Sequence, residues 1–183
     1  MRVPTIARRK TRQRLAAVGL LAAALLANGD ALLAQPSDEA VTPLRFEVSF
    51  PRDTHPAAIT GCVFVMVSQT PYREPRLQVG RTGVPLFGRD VEGLAPEVSV
   101  AIDATDIWSP VETLSDLPPG TYFVQAMVNV YSEFRRADGH VVWMHDDRWE
   151  GQDWRVSPCN LYSDVRRLYL DPLASGPVSL SVR

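Results

Sequence analysis

Beyond its tenth residue this sequence has no lysine, and the 183-residue chain holds only three histidines and two cysteines. Four signatures of chemistry are also missing. There is no G-x-S-x-G nucleophile elbow, which excludes the usual serine-hydrolase arrangement, and no glycine-rich phosphate loop, H-E-x-x-H or C-x-x-C. His55, His140 and His145 are too few and too irregularly spaced for a zinc site. No apolar run approaches the roughly 20 residues that a membrane-spanning helix needs. The longest, Leu15–Ala27 (LAAVGLLAAALLA), follows a basic cluster of Arg8, Arg9, Lys10, Arg12 and Arg14.

That order of charge and short apolar core describes a secretory signal peptide over residues 1–34, with cleavage after Ala34. An uncleaved anchor is the alternative, but it would have to bury Asn28 and Asp30 in the bilayer. Export places the chain in the periplasm or outside the cell, with no membrane association once the signal is removed. Residues 1–34 carry six of the 19 basic residues and one of the 21 acidic ones; the remainder has 13 arginines against 20 acidic residues, a net charge of −7. Nucleic acid is excluded as a partner, because binding it requires clustered Lys and Arg to neutralise phosphates.

Residues 35–43 (QPSDEAVTP) form a polar, flexible leader, and 44–183 are one domain of ordinary size. Its patterning is that of strands. In LRFEVSF (44–50) Leu44, Phe46, Val48 and Phe50 alternate with polar residues, and GCVFVMVSQ (61–69) is apolar on both faces, as a central strand would be. Residues 70–96, broken by proline and glycine, are expected to be a long surface excursion with short extended pieces such as VPLF. EVSVAID (97–103) alternates again.

The segment 117–145 organises the rest. Tyr122, Val124, Ala126, Val128 and Val130 give one clean core face, while Phe123, Met127 and Tyr131 share the other with Gln125 and Asn129. Asp138-Gly139 supplies a turn, and VVW returns as the second arm of a hairpin. In LPPGTY the tyrosine resembles a tyrosine corner, its hydroxyl returning to the backbone upstream; an ordinary core aromatic is the alternative. LYSDVRRLYLD and GPVSLSVR close the chain as strands, with Leu168 and Leu170, then Val178, Leu180 and Val182, facing inward. About seven strands without a helix give an all-β, antiparallel, immunoglobulin-like sandwich.

Two cysteines in an exported chain leave two readings open. A Cys62–Cys159 disulfide would close a loop of about 97 residues and contribute about 4–5 kcal/mol. Alternatively, Cys62 is a buried free thiol.

Metal binding is not expected. His140 and His145 lie five apart on a strand and point to opposite faces, so with Asp146 and Asp147 they do not converge. Asp146, Asp147, Glu150 and Asp153 offer only oxygen but lack the spacing of a calcium loop. Asp103, Asp106 and Glu112 read as solvated loop carboxylates rather than an acid–base pair. No catalytic residue and no cofactor follow.

Candidate contacts come instead from Trp143, Trp149, Trp154 and Tyr162, interleaved with Asp147, Glu150, Gln152, Asp153, Arg155 and Asn160. Flat rings beside planar polar groups suit a sugar or a protein partner; alternatively, the tryptophans plug the end of the sandwich.

The runs VPLFGRDVEGL (84–94), VETLSDLPPGTYFVQAMVNVYSEFRRADGHVVW (111–143) and WEGQDWRVSPCNLYSDVRRLYLDP (149–172) resemble the N-terminal β domain of large secreted bacterial proteins classed as esterases. There the β domain precedes an α/β-hydrolase catalytic domain. The resemblance spans about residues 44–183 and implies an accessory, non-catalytic module, because no position here matches the family's catalytic serine. A hydrolase domain is then the implied partner, and the chain is either free-standing or the front part of a longer protein. A carbohydrate- or small-ligand-binding module is the alternative.

Overall fold

The computed structural model describes residues 41–106, 113–149 and 153–183. The expected signal segment and most of the leader lie outside them, as do Glu112, Glu150 and Gln152. Among the described residues there are nine strands: β1 (Arg45–Ser49), β2 (Ile59–Ser68), β3 (Leu86–Leu94), β4 (Val100–Ile102), β5 (Gly120–Arg135), β6 (Val141–His145), β7 (Leu161–Tyr162), β8 (Arg166–Leu170) and β9 (Pro177–Ser181). The only helical pieces among the described residues are single 3₁₀ turns at Pro75–Gln78, Leu114–Asp116 and Trp154–Val156. Among the described residues no helix is long and apolar enough to cross a membrane.

The strands form a two-sheet, all-β sandwich. One sheet has the order β4-β1-β9; the other runs β3-β2-β5-β6, with β7 and β8 also on β5. Every ladder is antiparallel except β1–β9, which is parallel from Arg45↔Pro177 to Ser49↔Ser181. At sixteen residues, β5 is the spine. One of its edges pairs with β2 from Phe123 to Val130, and the other takes β8, β7 and β6 in turn. Between β7 and β8 the ladder is bridged by Ser163, whose N–H donates to the Ala126 carbonyl (3.0 Å) while its Oγ accepts from the Ala126 N–H (2.9 Å).

Alternation decides what lies between the sheets. The even residues Tyr122–Val128 of β5 meet Val63, Val65 and Val67 of β2 and Phe46 and Val48 of β1 in the main core, with Phe50, Phe87, Ile102, Leu170, Leu180 and Val182. Each buried side chain of this size contributes about 1.5–3 kcal/mol of transfer free energy. Tyr122 makes the corner: its hydroxyl donates to the Pro118 carbonyl at 2.6 Å. Just upstream, Thr113 and Asp116 form a capping box that fixes the turn carrying buried Leu114.

The structure corrects the reading of residues 70–96. Only 69–85 form an excursion; Leu86–Leu94 is a full strand paired with β2. Its alternation is masked because Leu86, Phe87 and Gly88 are buried consecutively, whereas Gly93, at φ 62, occupies an irregular turn of the ladder opposite Thr60. The strand expected over 97–103 shortens to three residues, since Glu97 adopts φ 66 and its carboxylate accepts from the Arg52 N–H (2.9 Å).

Candidate functional site

The outer face of the larger sheet divides into a closed half and an open half. In the closed half, Phe64 and Met66 of β2, Met127 of β5 and Leu86 of β3 form a second apolar cluster, packed by Val79, Trp154 and Tyr162. Two segments lie over it. The 69–85 excursion is pinned through Gln78, whose Oε1 accepts from Ser68 Oγ (2.8 Å) and Thr70 Oγ1 (3.0 Å). It is also pinned through Gln125, which accepts from the Arg76 N–H and donates to Glu74 Oε2 (3.0 Å). The second segment, 153–160, sets the Trp154 ring 4.7 Å from that of Phe64 and lets Asn129 and Asn160 both donate to the Trp154 carbonyl (3.2 and 2.8 Å).

Trp154, Arg155 and Tyr162 therefore do come together, as a clamp. Arg76 stacks 4.3 Å over the Tyr162 ring and donates to the Arg155 carbonyl (2.9 Å), which also accepts from the Tyr162 hydroxyl (3.2 Å). Arg155 donates to the Val79 carbonyl (2.9 Å) and pairs with Asp153 through two nitrogens (2.7 and 2.8 Å). These contacts engage the Arg155 guanidinium and the Tyr162 hydroxyl, and the indole of Trp154 packs against Phe64 of the sheet. Of the three tryptophans proposed as a sugar platform, Trp154 is part of the packing, covering the outer face rather than the end of the sandwich.

The same clamp sets an acid sensitivity. The Arg155 hydrogen bonds hold the Asp153 carboxyl below the usual range, and Gln125, with Arg76 second, does the same for Glu74. Thr105 lowers Asp103. A carboxyl with a lowered folded pKa stabilises the fold fully above its unfolded value and loses that contribution as pH falls through the folded one. The melting temperature is expected to be level between about pH 7 and 5 and to drop below about pH 4. Thermal unfolding at low and neutral pH checks this.

The Cys62–Cys159 bridge is not formed: both are free thiols, Cys62 buried and Cys159 exposed. Cys62 points from the middle of β2 into the outer-face cluster, and Cys159 sits in a surface turn at φ 70. Burial, reinforced by the Asp90 carboxylate, pushes the Cys62 thiol well up from its ordinary value. A thiol reagent is expected to label only Cys159 in the native protein and both after denaturation, as mass spectrometry would show.

Nothing in the described residues gathers three metal-ligating side chains. Asp103 and Asp106 are tied to Arg89, which forks onto Asp106 at 2.8 and 2.7 Å, so they are an anchor for the β3–β4 side of the sandwich.

The open half begins where β5 outruns β2. From Tyr131 to Arg135 it pairs with β6 alone, forming a hairpin closed by Gly139 at φ 87, whose N–H donates to the Arg136 carbonyl. Cross-strand pairing puts Phe134 beside Val142 and Ser132 beside Met144, on the face that continues the core row of β5. That face remains apolar but is only partly covered, with Phe134 40% and Met144 41% exposed. The other face carries Tyr131, Glu133, Val141 and Trp143, the last 49% exposed. Trp149, 99% exposed, lies just beyond β6.

Tyr131, Phe134 and Met144 were not singled out by sequence reasoning as contact residues. Continuing the alternation of β5 past Val130 would have marked Phe134 on the core side and Tyr131 on the other, whereas Met144, on β6, follows only from the cross-strand register. No family model, curated protein or solved structure matches this chain.

Proposed function

We propose that the chain is an exported, non-catalytic accessory module of immunoglobulin-like type, and that it docks a hydrolase domain of the kind found in the secreted esterases it resembles. The observation that carries this is the projecting hairpin, whose core-side face leaves Phe134 and Met144 40% and 41% exposed, in a recess they share with residues 145–148. An apolar row that belongs to a core yet faces solvent marks a binding surface. The tyrosine corner and two-sheet layering support the immunoglobulin-like character. The signal-like N-terminus supports a periplasmic or secreted location. A free-standing carbohydrate-binding role is less well supported, because the packing of Trp154 on Phe64 breaks up the proposed platform.

Affinity capture from the exported fraction of the source cells, with the wild-type protein and a Phe134→Asp/Met144→Asp variant, tests the proposal. A hydrolase enriched about tenfold or more by the wild type over the variant is expected, since a charge buried in an apolar contact opposes binding strongly. Equal recovery of every exported protein by the two baits would sink it.

A further inference from the structure

On the opposite face of the same hairpin, at its root, Thr60, Gly61, Asp90, Val91, Glu92, Tyr131 and Trp143 line a cleft of about 400 Å³. Its construction follows from register. Asp90 stands across from Cys62, Cys62 across from Asn129, and Trp143 across from Glu133, so β3, β2, β5 and β6 each bring one wall to the same side of the sheet. Two walls are aromatic, Tyr131 half-buried and Trp143 half-exposed. The β3 wall carries two carboxylates, and no ion pair among the described residues engages either Asp90 or Glu92. The neighbouring Arg89 alternates to the other face, where Asp106 holds it. Among the described residues no Lys or Arg lines the cleft.

We infer that this cleft binds an organic cation, a guanidinium or alkylammonium group held against Trp143 and Tyr131 and neutralised by Asp90 and Glu92. Aromatic faces attract such cations through their quadrupole, and a planar guanidinium can stack on a ring while donating to a carboxylate. The two carboxylates, in no ion pair among the described residues, favour a cation over a neutral sugar, whose hydroxyls can donate to them but neutralise neither charge. They decide against an anion. Burial raises the Tyr131 phenol above its ordinary value, with Cys62 and Asp90 adding to it, which keeps that wall a neutral ring. This site is separate from the docking face: Phe134 and Met144 lie on the other side of the hairpin, so either can fail without the other.

The test follows the indole N–H resonance of Trp143, assigned by its loss in Trp143→Phe, as the protein is titrated with N-acetyl-arginine amide. The neutral isostere N-acetyl-citrulline amide is the control. Arginine amide is expected to shift the resonance saturably and citrulline amide is not. The Asp90→Asn/Glu92→Gln variant, with its other indole resonances unmoved, should bind about tenfold more weakly or worse. An extended peptide carrying one arginine, run beside the amide, assigns the source. Tighter binding of the peptide indicates a cationic side chain on a protein; equal binding indicates a small free cation. Equal shifts from citrulline amide, unchanged affinity in the double variant, or no shift at the highest soluble concentration would each overturn the inference.

Discussion

Replacing Gly61 with alanine is expected to destabilise the protein by about 3 kcal/mol or more, lowering the melting temperature by roughly 10 °C. Gly61 lies in β2 opposite Val130, where β5 approaches so closely that a Cβ would overlap the Asn129 carbonyl oxygen and stand 3.1 Å from its carbon and 3.3 Å from Val130 Cα. All three atoms are main chain, so no rotamer change relieves the contact. Either β2 and β5 move apart at one end of their eight-pair ladder, or the Asn129 peptide tilts. Both options disturb the two apolar clusters, because this ladder separates them. Gly80→Ala is the matched control, since nothing lies within 4 Å of the added carbon, and it should change stability by less than about 0.5 kcal/mol. Urea unfolding of the two variants separates local crowding from a general loss of glycine; equal midpoints would show that the β2–β5 approach is not tight.

The pairing of β2 with β5 also shows what could and could not be read from the residue pattern. The alternation from Tyr122 to Val130 gave the core face correctly, and Asp138-Gly139 located the hairpin, because both signals are local. The polar residues of the other face were harder. Gln125 and Asn129 suggest solvent, yet each is 2% exposed, covered by segments far away in the chain. Glu74 reaches Gln125 across 51 residues and Trp154 reaches Asn129 across 25. No periodicity reports which distant loop folds over a sheet. For the same reason Asp90 and Glu92 fell inside the expected 70–96 excursion until register placed them on a strand beside Tyr131 and Trp143. Their shared side was legible from the two-residue spacing, but their aromatic neighbours were not. The tryptophans were read as one group because they are close in sequence; three-dimensionally, Trp143 is on a strand of the hairpin and Trp154 is in a turn clamped over the sheet.

That separation leads to an expected contrast between two single substitutions. Trp154→Ala should cost about 2–3 kcal/mol, while Trp143→Ala should stay within about 0.5 kcal/mol of the wild type. The Trp154 ring is the largest side chain over the outer cluster, 4.7 Å from Phe64 at a tilt of 42°, and its removal leaves Phe64 and Met127 short of contacts on their solvent side. The carbonyl of residue 154 would still accept from Asn129 and Asn160, and Arg155 would still hold Val79 and Asp153, so the loss isolates packing from hydrogen bonding. The cost stays below that of a fully buried tryptophan because Trp154 is only partly buried. Trp143, by contrast, gives half its surface to water and sits on a hairpin strand with a free edge among the described residues, so truncation removes little that the fold depends on. Urea unfolding with an unchanged m-value measures both effects on one scale. Were Trp154 a solvent-facing platform for a ligand, its truncation would be as mild as that of Trp143; a large difference between them assigns Trp154 to the fold and leaves Trp143 available for recognition.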